Sequence, residues 1–384
     1  MARLLVLFFA SGCAALIYET VWFYLVQLVV GASSFSVAVL LVAFMGGMAL
    51  GSWWLPRIVP DRLHPFRVIA ALEAGIGAIG IVIPIALPFV QQLYLLLPTH
   101  GVLIRAIVCV IVLTPPTMLM GATLPFIARA LSQRPNEDAA SNVGLLYMAN
   151  LAGATTGTVL AGFYLLRVYD TIVATGVAVV INAAVAAAFF VLARSTRHEA
   201  PAPAPAPAPV PAPAPIPAPE APLAPDSSAP RVVYVAAGLS GFTALGAEVV
   251  WTRQLSLLFG ASVYTFSLIL AVFLAGLGVG GWLGSWLART ARGPQRLLGV
   301  VQGLLAGAIG FGAWSIVNLL PHWQPTSTYL ASIHDAPTRT FLFDAMRCAV
   351  VLLPATILWG ASFPLTIACA RPNLAATSFS RHVA

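Results

Sequence analysis

Charge is what this sequence has least of. Charged residues make up 8% of the 384 positions, and all nineteen basic residues are Arg, with no Lys. A soluble domain carries about 25% charged residues. With 60% hydrophobic residues and a mean hydropathy of +0.93, this chain has too little polar surface to cover itself in water. The shortage argues at once against an ordinary soluble enzyme, a nucleic-acid partner and a disordered tail protein. Cysteine is scarce as well. Cys13, Cys109, Cys348 and Cys369 all fall in apolar segments and form no CxxC pair, which argues against a disulfide framework or a zinc site. The six His are scattered without an HxxxH pair. No Ser–His–Asp or Cys–His arrangement can be argued, so no catalytic residue, metal ligand or cofactor is expected.

What is present is a series of long, continuous apolar runs. A transmembrane barrel needs short alternating strands. Runs of about 20–28 residues are spanning helices instead. The reading is an all-α, polytopic bundle of about ten helices, near 4–30, 33–56, 67–95, 102–130, 140–166, 171–194, 232–258, 262–288, 296–320 and 339–370. The bilayer is the expected surrounding. Placing the N-terminus in the cytoplasm puts fourteen of the nineteen Arg on that side, the bias expected of a multi-pass membrane protein with both termini cytoplasmic. Residues 200–225 read APAPAPAPAPVPAPAPIPAPEAPLAP, a composition that excludes helix and favours extended polyproline II. The chain thus divides into a first membrane unit (1–198), a Pro/Ala-rich cytoplasmic linker (199–230) and a second membrane unit (231–384).

The two units repeat one another. SGCAALIYETVW at 11–22 matches SGFTALGAEVVW at 240–251, and the alignment runs without gaps from 11–53 to 240–282 with sixteen of 43 positions identical. Glu19 pairs with Glu248, Gly31-Ala32-Ser33 with Gly260-Ala261-Ser262, and Glu73 with Gln302. After a ten-residue insertion, PPTMLMGATLP at 115–125 matches PATILWGASFP at 354–364. Six helices separate the copies, so the repeats are parallel, in a major-facilitator-like layout of six plus four helices. The second copy has no counterpart of the fifth and sixth helices, so it reads as truncated against a twelve-helix unit.

The blocks ALIYETVW, GASSFSVAVLLVAFMGGMALGSW, PPTMLMGATLP and LLYMANLAGATTGTVLAGFYLL, with EVVWTRQLSLLFGAS and WGASFPL in the second copy, resemble the membrane region of bacterial spermidine-synthase-like proteins, the fused facilitator–spermidine synthase proteins. The resemblance covers nearly all the membrane helices. In that family a soluble aminopropyltransferase domain usually follows them. This chain contains no such domain, so the resemblance implies a membrane module and transfers no catalytic residue. It implies either a module that binds or transports a polyamine-related cation, or the non-catalytic anchor of a separate synthase domain.

Few residues could carry chemistry. Glu19 and Glu248 lie about sixteen residues into their helices. A carboxylate at that depth must face the bundle interior, be protonated or be paired. The pair can bind a cationic polyamine, carry a proton, or serve as structural glue between helices. Glu73 is a weaker candidate of the same kind, close enough to its helix start to reach the interface or pair with Arg62 or Arg67. Asp344 and Arg347 share a helix face, and Arg105 aligns with Asp344. These three suggest either an ion pair between the halves or a pair solvated at the outer interface. Pro115-Pro116 and Pro354 are expected to interrupt two long helices at matched places. Gly276-Leu-Gly-Val-Gly-Gly281 imitates a dinucleotide loop, but inside a spanning helix it is a packing motif.

Overall fold

The computed structural model describes residues 1–31, 34–95, 101–132, 139–196, 228–260, 262–290, 293–323 and 336–370. Most of the Pro/Ala linker and residues 371–384 lie outside the described residues. Among the described residues there is no strand, and ten helical stretches are long and apolar enough to cross a membrane. Within hydrocarbon every backbone amide must be bonded inside its own segment, and a helix does this without neighbours.

In chain order the spans are α1 (Ala2–Val30), α2 (Ser34–Ile58), α3 (Pro65–Leu95) and α4 (Val102–Ser132). The fifth is α5 (Ala139–Leu160), continued by a π-helical turn (Ala161–Leu165) and the last turn α6 (Leu166–Val168). Then come α7 (Thr171–Ser195), α8 (Ser228–Phe259) and α9 (Val263–Thr290). α10 (Pro294–Trp314) runs on through a second π-helical turn (Ser315–Leu319), and α11 (Ala336–Ala370) is the tenth span. α8 starts at Ser228, so the end expected for the linker is already helical.

Helix ends follow local chemistry. The Asp170 carboxylate caps α7, accepting from the Val173 amide at 2.8 Å, and the Ser262 hydroxyl accepts from the Thr265 amide at 3.2 Å at the start of α9. The matched Gly31 and Gly260 turn the chain at φ of 110° and 92°, where a side chain would be strained. Arg57 folds back over the Trp53 ring at 4.2 Å and Arg194 over Phe190 at 4.5 Å, as Arg does at helix ends near a lipid–water boundary. The prolines do not break their helices: α4 runs through Pro115, Pro116 and Pro125, and α11 through Pro354 and Pro364. Both helices are held there by close neighbours.

Those neighbours are α2 for α4 and α9 for α11. Thr117 of α4 sits where a Cβ on Gly47 of α2 would lie, and its hydroxyl donates to the Ala43 carbonyl at 3.0 Å. Thr356 of α11 occupies the same place against Gly276 of α9. Gly51 meets the Met118 backbone, and Gly280 the Ile357 backbone. Gly121 meets Met48, and Gly360 meets Leu277. The same small-residue contacts therefore join both helix pairs at aligned positions, which is how helices approach closely without a hydrophobic driving force.

In the first half α1 packs on α5 and α7, and α3 on α4 and α7. In the second, α11 lies between α8, α9 and α10. The halves meet mainly where α5 packs on α9, with smaller contacts of α1 on α9 and α2 on α8. The first-half core takes in Phe266, Leu270 and Leu274 of α9, so the halves share a core.

Candidate functional site

Glu19 and Glu248 are both buried, at 1% and 4% exposure, and near enough for their charges to interact. The face of α1 that carries Glu19 is turned to the other half. One helical turn on, Phe23 stacks on Phe266 of α9 with centroids 3.8 Å apart. The Glu19 Oε1 atom has no hydrogen-bond partner. Thr252 Oγ1 on α8 and Ser267 Oγ on α9 also lack one, while Tyr18 OH and Trp22 Nε1, likewise unpartnered, turn into the first half against Gly80 of α3 and Phe44 of α2. Thr252 lies one turn beyond Glu248, on its face of α8. Ser267 packs on Gly162, in the π-helical turn of the fifth span. Such turns occur often at functional sites. Buried polar atoms nearly always find a partner, so these three orphans on α1, α8 and α9 mark the junction of the halves as the place where a polar ligand would find bonds to make.

Glu73 belongs elsewhere. It is 1% exposed and reaches neither the interface nor Arg62 or Arg67, because two neutral groups claim it inside the first half. The Ser11 hydroxyl of α1 donates to Oε1 at 2.6 Å, and the Asn182 amide of α7 to Oε2 at 2.6 Å. The expected interface role gives way to a three-helix clamp. At the matched place in the second half the Gln302 amide donates to Ser240 Oγ at 3.5 Å.

The charges at the opposite end of the bundle also differ from expectation. Asp344 is 9% exposed, not solvated, and lies within electrostatic reach of Arg347 and of Tyr264. Arg347 spends its guanidinium on the carbonyls of Leu320 and Trp323, where α10's terminal turn ends, and lies 4.0 Å over the Phe343 ring. Arg105 donates to the Val29 carbonyl at 3.2 Å, at the C-terminus of α1. These residues tie helix ends down within their own halves.

Sequence reasoning missed three features. Asn182 was legible as the lone carboxamide in the apolar run 171–195. The ion pair of Arg129 with Asp61, at 2.7 Å, joins the end of α4 to the α2–α3 turn and had no sequence signal. The third is an aromatic cluster between the halves. Phe163 of the π-helical turn meets Tyr264 of α9 at 4.6 Å and Phe341 of α11 at 4.8 Å, with Tyr264 and Phe341 6.0 Å apart. It fills the interface at one end of the bundle. At the other end the halves separate into a cleft between α4, α5, α9 and α11.

These features define the class: a multi-pass helical membrane protein with a buried acidic pair where its halves meet. Compared with models of known protein families, with curated proteins and with solved structures, the chain matches none.

Proposed function

We propose that this chain is a membrane module that binds a polyamine-related cation at Glu19 and Glu248. The observation that carries the reading is the acidic pair itself. Two carboxylates from aligned positions of α1 and α8 lie buried, at 1% and 4% exposure, and one oxygen of Glu19 accepts no hydrogen bond. An alkylammonium group supplies what such a pair lacks, several N–H donors and positive charge, and a chain with an amine at each end can meet both carboxylates. The sequence resemblance to the membrane region of spermidine-synthase-like proteins supports the same ligand class. The reading includes two parallel repeats in a major-facilitator-like arrangement, with the Arg-rich end in the cytoplasm and the chain in a bacterial inner membrane. It is supported by the aligned α2–α4 and α9–α11 contacts and by the described Arg at the cleft end: Arg3, Arg57, Arg62, Arg67, Arg129, Arg194, Arg289 and Arg296.

The test is calorimetric titration of spermidine into the full chain held in lipid nanodiscs. Saturable binding is expected, weakened about tenfold or more in the Glu19→Gln, Glu248→Gln double variant, since each bond to a charged group contributes roughly 1.5–3 kcal/mol. Binding of unchanged strength in the double variant would remove the proposal.

A further inference from the structure

The cleft between the halves has a chemistry of its own. Its volume is about 660 Å³, inside the roughly 300–1,000 Å³ range of small-molecule sites. The wall is apolar and aromatic, with Tyr147 and Met148 from α5, Trp282 from α9, and Phe363 and Ile367 from α11. Trp282 and Phe363 are both more than half exposed, so their rings are open to an apolar chain entering the cleft. Among the described residues Arg289 supplies the single charged side chain of the lining, and none of those residues is acidic. It sits in the last turn of α9, with its Nε donating to the Ser285 carbonyl at 3.2 Å. Every wall residue comes from the end of its span that carries the Arg-rich segments, where lipid headgroups lie.

We propose that this cleft binds an amphiphile with one anionic head, its carboxylate or phosphate held by Arg289 and its acyl chain laid along Trp282, Phe363 and Ile367. The charge selects the sign of the head, because a planar guanidinium matches a carboxylate or phosphate oxygen pair. The wall selects the apolar chain. The ligand is chemically opposite to the cation of the acidic pair, so this site stands or falls independently of that reading. Two sources share the required chemistry, a free fatty acid and an anionic phospholipid of the surrounding bilayer.

Tryptophan quenching tests it on the full chain in nanodiscs of unlabelled phosphatidylcholine. The probes are 9,10-dibromostearate and brominated phosphatidylglycerol, with brominated phosphatidylcholine as the zwitterionic comparison. Saturable quenching by dibromostearate, by brominated phosphatidylglycerol or by both supports the site, and which one acts identifies the source. Trp282→Phe should reduce the amplitude of quenching. Arg289→Gln should weaken the probe's half-saturation about tenfold, and Arg289→Lys, which keeps the charge but loses the planar fork, should fall between that variant and the parent. Ala288→Trp, which fills the cleft, should abolish saturation. Because Arg289 is exposed, its variants should leave the fold intact, checked by an unchanged gel-filtration profile. Quenching that never saturates, that is indifferent to Arg289→Gln, or that is equal with brominated phosphatidylcholine would overturn the proposal.

Discussion

At the scale of single residues, the Glu73 clamp shows how this protein houses an acid among apolar helices. Ser11 and Asn182 each bring one donor, and the second half holds the matched Ser240 with a neutral Gln302. The charge of Glu73 is therefore dispensable to the clamp, and its two hydrogen bonds are not. Glu73→Gln is expected to stay within about 0.5 kcal/mol of the parent, because Asn182 can turn its amide and offer its unpartnered Oδ1. Glu73→Leu strands both donors and should cost roughly 1–3 kcal/mol, or nearer 1 if the modest values for polar contacts between membrane helices apply. Thermal unfolding of the detergent-solubilised protein, followed by intrinsic tryptophan fluorescence, separates the two variants. Equal loss in both would show that the charge itself is needed. The identity of the buried acids was legible in the sequence, since Glu stands out in an apolar run. Their partners were not: Asn182 is 109 residues from Glu73, and pattern alone does not say which helix faces which.

Among helices, the small residues set the packing. Gly47 and Gly276 each lie against a threonine of the neighbouring helix, whereas Gly46 and Gly278 have open space where a side chain would go. Leu at either of the first two should push α2 from α4, or α9 from α11, and destabilise by about 1–3 kcal/mol. Leu at Gly46 or Gly278 should change stability by no more than about 0.5 kcal/mol. The fraction of each variant that remains monodisperse on gel filtration after a heating series measures this. Similar behaviour of all four would show that the contacts are not the support they look to be. Helix positions were readable to within a few residues because a spanning run has to be apolar throughout. The π-helical turns at 161–165 and 315–319 were not readable. Nothing in AGFYL or SIVNL differs in composition from ordinary helix, and the turn in the fifth span is recognisable only beside Ser267 and the Phe163 cluster. The expected interruption at the prolines is absent for a related reason. Inside a packed bundle a helix can remain continuous through proline, which a sequence read one segment at a time does not register.

Across the whole molecule, the two ends differ in what they present. The cleft end carries Cys369, partly exposed, while Cys13, Cys109 and Cys348 are buried. A membrane-impermeant maleimide should label the folded protein once, at Cys369, and only from the side where the Arg-rich segments lie. On the proposed orientation that is inverted inner-membrane vesicles and not intact spheroplasts. Cys369→Ser should remove the label. Labelling from the outer side would reverse the orientation, and labelling at several cysteines would contradict the packing. The cluster of Phe163, Tyr264 and Phe341 gives the asymmetry an energetic meaning. An edge-to-face ring pair contributes roughly 0.5–1.5 kcal/mol beyond the area it buries. A conformer that parts all three rings thus forfeits about 1.5–4.5 kcal/mol before any other contact is counted. At 1.4 kcal/mol per decade of equilibrium constant, those rings alone disfavour such a conformer about ten- to a thousandfold, a term that any opening at that end of the bundle has to offset with new contacts.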